Sequence, residues 1–174
     1  MQQTLILKKS DIEKLIDMKT AISLVEEAFR MYAEGQAEMP PKVYLEFPRG
    51  DIRTMPAFIK GKVNMAGVKI VNVHPENRFK EMPSVRGTTV LIDPETGVPL
   101  AIMDATFLTA LRTGAASGVA TKYLASKNAK KAAIIGAGNR WCGTMAPTVS
   151  GGISGKVGAR AYAAHFLEHS LFKR

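Results

Sequence analysis

A lysine in the middle of an apolar run is the first residue of this sequence that could do chemistry. Lys69 stands in Gly67-Val68-Lys69-Ile70-Val71, which is typical of a strand, and alternation places Lys69 on the same face as Val71. An amine on an apolar face is either an edge residue whose charged end reaches solvent or a functional amine whose proton affinity is lowered by burial. Taken alone, the residues favour the first interpretation, because edge lysines commonly block strand aggregation.

Three further cations could share a site with Lys69. Arg112 ends an apolar helical stretch, where it is either a favourable charge near a helix end or a bidentate clamp for a carboxylate. Lys42 and Arg53 lie on the two arms of a predicted hairpin and could simply be exposed. If all four face inward, they converge on one cavity, and an anionic substrate would be required to offset their repulsion.

Two glycines near residue 138 could bind a dinucleotide. Gly136 and Gly138 follow the apolar run 132–135, as in the turn whose first glycine bends tightly and whose second admits a pyrophosphate. However, Trp141 stands at the third small position, and Ala163 stands where an acid would bind the ribose. By themselves, these residues favour an ordinary glycine turn.

The histidines and the cysteine predict neither a metal site nor a nucleophile. His74 has no second histidine nearby, and His165 and His169 could share a helix face but have no third ligand. Cys142 has no recognisable base partner, which favours a buried or incidental thiol.

The strands that must position these residues follow from periodicity and turn residues. Runs of β-branched and alternating residues end at clusters of Pro, Gly and Asp. The predicted strands are 4–7, 42–47, 52–57, 66–73, 88–93 and 98–104, with hairpin turns at 48–51 and 94–97.

Helices are predicted from capping residues. Ser10 and Glu13 have the spacing of a capping box, and Asp17 and Gly35 are placed to begin and end a longer helix. Asp104 can cap a third helix, whose small residues predict tight packing. The longer helix is expected to bury one stripe, made of Ile22, Val25, Phe29 and Tyr32.

Composition indicates a folded protein of ordinary type. The chain has 174 residues, 46% hydrophobic and 22% charged, which excludes disorder and a large multidomain enzyme. A single cysteine and the lack of a long apolar run favour a cytoplasmic protein without a membrane anchor. Of the net charge of +9, residues 1–138 carry +5, with the bases scattered among acids, and residues 139–174 carry +4, which makes nucleic-acid binding the least favoured function.

A set of short motifs, in order, resembles the ornithine cyclodeaminase/mu-crystallin family over about residues 1–138. The motifs are Met39-Pro40-Pro41-Lys42, Gly50-Asp51-Ile52-Arg53-Thr54-Met55-Pro56-Ala57, Gly67-Val68-Lys69, Asp93-Pro94-Glu95-Thr96-Gly97, Asp104-Ala105-Thr106 and Leu111-Arg112-Thr113-Gly114-Ala115-Ala116. The resemblance implies an α/β enzyme that uses NAD or NADP, with substrate bound between a first domain and a Rossmann domain. It also implies a homodimer built through the first domain, and it raises the functional interpretations of Lys69 and Arg112.

The resemblance also implies a role for each site residue. Lys42 and Arg112 would hold the substrate carboxylate, and Lys69 would contact substrate and help proton transfer at the reacting carbon. Ser84 would lie near the nicotinamide, while the paired glycines 136 and 138 would bind the cofactor.

The ornithine-cyclising members of the family tend to have an acid two residues before the Met-Pro pair. This sequence has Arg53 at that position, a pattern that resembles the archaeal-type alanine dehydrogenases. A small amino acid or 2-oxo acid is therefore expected as substrate, with hydride transfer through an imine. Ornithine cyclodeaminase and ketimine reductase are the alternatives.

The resemblance ends soon after residue 138. Residues 139–143 depart from the family pattern, and the following segment is glycine-rich and basic. We therefore expect a substrate-binding and dimerisation domain at 1–128 and an incomplete Rossmann-like segment at 129–174, in a truncated or frameshifted relative. A catalytically inactive remnant is the alternative from another functional class.

Overall fold

The computed structural model describes residues 3–126 and residue 128. The predictions made for Gly136, Gly138, Trp141, Cys142 and the two histidines near the end of the chain lie outside these residues. The described residues fall into two compact units, one made of residues 3–15 and 27–109 and the other of residues 16–26 and 110–128. The predicted domain boundary at residue 128 stays a prediction.

A seven-stranded mixed sheet forms the first unit. The strands are β1 (Leu5–Leu7), β2 (Ala37–Glu38), β3 (Val43–Phe47), β4 (Gly50–Ile59), β5 (Met65–Val73), β6 (Val85–Ile92) and β7 (Pro99–Asp104). Their order in the sheet is β1-β7-β6-β5-β4-β2, and β3 pairs with the first half of β4. The pair β1 and β7 is parallel, and all other pairs are antiparallel.

Within the described residues, three α-helices accompany the sheet, which confirms the predicted mixed α/β class. They are α1 (Lys9–Leu15), α2 (Met18–Ala33) and α3 (Thr106–Leu124), and a 3₁₀ helix spans Pro75–Lys80. Among the described residues, no helix has the length and apolar character needed to cross a membrane.

The predicted caps are confirmed for α2 and α3 and wrong for α1. Asp17 accepts a hydrogen bond from the Thr20 N–H at 2.8 Å, and Gly35 has the positive φ of 71° that ends a helix. At α1, the Asp11 carboxylate accepts from the Lys8 N–H at 2.9 Å. Because α1 begins at Lys9, its cap is this single bond between Lys8 and Asp11 and not a reciprocal pair between Ser10 and Glu13.

The single buried stripe predicted for α2 is wrong. Phe29 and Tyr32 are exposed, whereas Ala21 and Met31 are buried. The two halves of α2 belong to different compact units, and Ala21 and Met31 lie in different halves.

The two hairpin turns differ from each other. The β6–β7 turn is as predicted, since Asp93 accepts from the Glu95 N–H and the Thr96 hydroxyl, both at 2.9 Å. The β3–β4 turn contains only Pro48 and Arg49, so the predicted four-residue turn is too long. Asp51 consequently lies within β4.

Strand alternation gives the sheet two chemically different faces. The register puts Arg53, Lys69, Val71, Gly87 and Ala101 on one face, which we call the lysine face. Val71, Gly87 and Ala101 are buried there. The other face, which we call the apolar face, carries half-buried or exposed side chains that include Val43, Leu45, Ile52, Phe58, Val68, Ile70, Val90 and Ile102.

The part of α3 that belongs to the second unit packs through small residues. Gly114, Ala115 and Gly118 are buried, together with Leu111 and Val119. Side chains this small allow the close packing predicted from the sequence.

Candidate functional site

Lys69 and Arg53 are neighbours on the lysine face. Lys69 pairs with Met55 across β4 and β5, and Arg53 pairs with Val71. Arg53 is therefore on a diagonal from Lys69, a relation that separates residues by about 7–8 Å in an antiparallel pair. The structure thus brings two of the predicted site residues together.

The residues around Lys69 are small or unbranched. Thr89 of β6 is its partner on the side away from Met55, and Met103 of β7 pairs with Thr89. All of these residues, Lys69 included, are half-buried. Two flexible thioether side chains beside a half-buried amine can adapt to a small organic ligand.

Arg53 is held by two neighbours on the same face. Its Nε donates to Asp51 Oδ1 at 2.7 Å and its Nη2 donates to Asp51 Oδ2 at 2.8 Å. Its guanidinium carbon also lies 5.3 Å from the centre of the Tyr44 ring, within range of a cation–π contact. The Arg53 side chain is 33% exposed and that of Asp51 is 19% exposed.

Hydrogen bonding dominates the electrostatics of this pair. The hydrogen bonds from Arg53 lower the pKa of Asp51, and the positive charge of Arg53 adds to the effect. The hydrogen bonds to Asp51 raise the pKa of Arg53. Arg53 is thus a cation whose charge is largely offset by Asp51, so the repulsion expected among four converging cations is smaller than the sequence suggested.

The other predicted site residues belong to other elements. Lys42 is exposed and precedes β3 by one residue, two residues from Tyr44. Arg112 is an exposed residue of α3 in the second unit. Ser84 precedes β6, and its backbone carbonyl accepts a hydrogen bond from the His74 N–H at 2.8 Å.

A cavity of about 320 Å³ lies at the β3–β4 turn, away from Lys69. It is lined by Glu46, Phe47, Pro48, Arg49, Gly50, Asp51, Val73, Pro75 and Glu76. Acids outnumber bases among these residues, which disfavours the small anion predicted as substrate.

Residues that could hold a metal or a cofactor are few in the described ranges. No group of three His, Cys, Asp or Glu side chains occurs there that could hold a metal ion. Ser84 is the one predicted cofactor contact within residues 3–126, because the two glycines lie outside. A small hydroxyl residue is compatible with an approaching nicotinamide but does not by itself form a dinucleotide site.

Comparison with known proteins identifies the family. The family model described as ornithine cyclodeaminase/mu-crystallin matches residues 2–150. The chain belongs to this family. The resemblance predicted from the motifs is thereby confirmed, and the match continues past residue 138, where we expected it to end.

Among curated relatives, the family members most similar to this chain include an alanine dehydrogenase and a reductase. The alanine dehydrogenase of Archaeoglobus fulgidus is 55% identical over 144 residues, covering 83% of this chain and 42% of the relative. A Δ1-pyrroline-2-carboxylate reductase of Bacillus cereus is 35% identical over 138 residues, covering 78% of this chain and 42% of the relative. The chain therefore spans less than half the length of these relatives.

Solved structures give the same two activities. An archaeal alanine dehydrogenase dimer with bound NAD has a TM-score of 0.78 and 53% identity, covering 83% of this chain and 44% of that one. A Δ1-pyrroline-2-carboxylate reductase of Thermococcus litoralis, in complex with NADH and L-proline, has a TM-score of 0.82 and 45% identity, covering 86% and 47%.

Sequence reasoning missed Asp51 and Tyr44 as neighbours of the site. Asp51 was assigned to the turn, where it would have no fixed relation to Arg53. The signal that could have found it is the Asp-x-Arg spacing, since residues two apart in a strand share a face.

Proposed function

We propose that this chain is the substrate-binding part of an NAD-dependent amino-acid dehydrogenase that acts on a small amino acid and its 2-oxo acid, most like alanine and pyruvate. The observation that carries this proposal is the position of Lys69 and Arg53 as diagonal neighbours on one sheet face. Arg53 offers no acceptor for the distal amine of a substrate such as ornithine, because a guanidinium can only donate hydrogen bonds. The identity to an alanine dehydrogenase supports the same choice.

Each of the described site residues has a proposed role in the reaction. Arg112 and Lys42 bind the carboxylate, and a substrate held in this way has its α-carbon oriented for reaction. The Lys69 amine helps proton transfer at the reacting carbon while the substrate passes through an imine. NAD, when bound, supplies the acceptor for the hydride from the α-carbon.

A turnover assay tests the proposal. Two chains should be compared: the 174-residue chain, and a lengthened chain in which residues 1–128 precede the dinucleotide-binding domain of the Archaeoglobus enzyme. We expect the lengthened chain to oxidise NADH when pyruvate and ammonium are added. For the 174-residue chain, NADH binding is followed by the fluorescence of Trp141, the only tryptophan.

Arg112 variants separate this function from an inactive remnant. Arg112→Lys in the lengthened chain should lose turnover and keep its thermal unfolding temperature, because an ammonium cannot reproduce the planar fork of a guanidinium. A lengthened chain that melts cooperatively and binds NADH, but turns over neither pyruvate nor a cyclic imine, would favour the remnant and contradict the proposal.

A cyclic imine is the second candidate substrate. The structure solved with L-proline has 45% identity to this chain, so a ring in place of an open imine is compatible with the same carboxylate contacts. The ratio of kcat/KM for pyruvate with ammonium to that for Δ1-pyrroline-2-carboxylate separates the two candidates. A ratio above one favours the alanine dehydrogenase.

We also propose that the chain forms a homodimer through the apolar face. Val43 and Leu45 on β3 are 64% and 62% exposed, and Ile102 is also exposed. A contiguous apolar surface of this kind is typical of an interface, and a second copy would offer the same surface. Sedimentation velocity of the wild-type chain should give the mass of a dimer, and a monomer at high concentration would contradict the proposal.

A further inference from the structure

The pairing of Asp51 with Arg53 has a consequence for substrate binding, provided that the proposed function is correct. A guanidinium has two edges that can each donate two parallel hydrogen bonds. Asp51 occupies the Nε–Nη2 edge of Arg53. The Nη1–Nη2 edge is the one that this pair does not engage.

The orientation of Arg53 is restrained on two sides. The bidentate pair fixes the plane of the guanidinium, because both bonds must lie near that plane. The Tyr44 ring, 5.3 Å away, adds a contact with the same group. An arginine held in this way loses less conformational freedom when it binds a ligand.

We infer that Asp51 is a positioning residue, which fixes the Arg53 guanidinium so that its second edge adds one more contact to the carboxylate of a small substrate beside Lys69. Asp51 and Arg53 are two residues apart on β4 and therefore share the lysine face. Asp51 acts through Arg53 and does not itself touch the substrate.

Two possible roles of Asp51 predict opposite changes in the affinity for an anion when Asp51 is neutralised. If Asp51 only offset charge, its neutralisation would leave a more positive site, and an anion would bind more tightly. If Asp51 positions Arg53, its neutralisation frees the guanidinium, and the anion binds more weakly. The sign of the change in affinity therefore distinguishes the roles.

Glu46 provides a matched control. It pairs with Asp51 across β3 and β4 and carries the same charge, but it is exposed. Glu46→Gln removes one negative charge close to Arg53 and leaves the Asp51 pair in place.

The experiment is a titration of the full 174-residue chain with pyruvate in the presence of NADH, followed by NMR. The Arg53 Nε–H signal reports the pair directly, because a hydrogen-bonded Nε–H exchanges slowly with water. We expect Asp51→Asn to speed this exchange and to weaken pyruvate binding about 10-fold, the effect of one charge-assisted contact. Glu46→Gln should leave both within about twofold, and Asp51→Glu should restore part of the affinity by retaining the carboxylate.

The binding results separate the proposed role of Asp51 from the proposed substrate. Saturable pyruvate binding by the wild-type chain, with unchanged or tighter binding by Asp51→Asn, would overturn the inference and leave the proposed function standing. No saturable pyruvate binding by the wild-type chain would overturn the proposed substrate, and the inference with it.

Discussion

The lysine face and the apolar face are formed by the same strands but carry different side chains. On β5, Lys69 lies between Val68 and Ile70 in sequence, yet these neighbours are on the opposite face. The lysine face combines buried positions with a half-buried amine and a paired cation. The apolar face has no charged side chain on β5, and no residue of β5 on that face is buried. The proposed substrate site and the proposed dimer interface would therefore share one run of five residues.

The largest expected effect comes from removing the amine on the lysine face. Lys69→Met keeps the length of the side chain and its apolar contacts, so the fold should be retained. In the lengthened chain, we expect kcat to fall about 10²- to 10⁴-fold, the usual contribution of a proton-transferring group. Lys62→Met, in the exposed turn between β4 and β5, is the control and should retain full turnover. Full activity of the Lys69 variant would remove this residue from the site.

The second-largest expected effect comes from Val68, which is next to Lys69 in sequence but lies on the apolar face. Val68→Glu introduces a charge into the proposed dimer interface, and burying an unpaired charge is costly. We expect dimer affinity to fall at least about 30-fold, the size of an interface hot spot, as measured by sedimentation equilibrium. The fold of the monomer should persist, as judged by circular dichroism. If the variant sediments as the wild-type dimer, the interface does not include this face.

A smaller effect distinguishes burial within one chain from burial between chains. Val71 is 6% exposed on the lysine face, so Val71→Ala should lower the free energy of unfolding by about 1–3 kcal/mol at any protein concentration. Val68→Ala should lower the free energy of unfolding less in dilute protein than at concentrations where dimers form, because association stabilises the folded state. Urea unfolding at two concentrations measures both. Equal concentration dependence for the two variants would contradict the assignment of the faces.

The smallest expected effect comes from the β6–β7 turn, which belongs to neither the proposed substrate site nor the proposed dimer interface. Hydrogen bonds from the Glu95 N–H and the Thr96 hydroxyl lower the pKa of Asp93 from its ordinary value of 3.8. A carboxyl with a lowered pKa stabilises the fold above its unfolded pKa and loses this contribution as the pH falls through its folded pKa. The melting temperature of Asp93→Asn should therefore be below that of the wild type at pH 7 and approach it below pH 3.8. A difference that stays constant with pH would indicate that the charge is not involved.

Local signals predicted most of the elements but not how they combine. The Asp93 turn and the Asp17 cap were found because each depends on residues within four positions. The parallel pairing of β1 with β7 was not found, since it joins residues far apart in sequence and leaves no local pattern. For the site, alternation correctly put Lys69 and Val71 on one face. The Asp51 pair was missed because the turn was assigned two residues too long.

The placement of the substrate on the lysine face is tested most directly by the methyl signals of Met55 and Met103. Met55 pairs with Lys69, and Met103 pairs with Thr89, the other neighbour of Lys69. In protein labelled at the methionine methyl groups, addition of pyruvate with NADH should shift these two signals saturably and leave that of the exposed Met39 unchanged. Saturable binding of pyruvate without any shift of Met55 and Met103 would contradict the account.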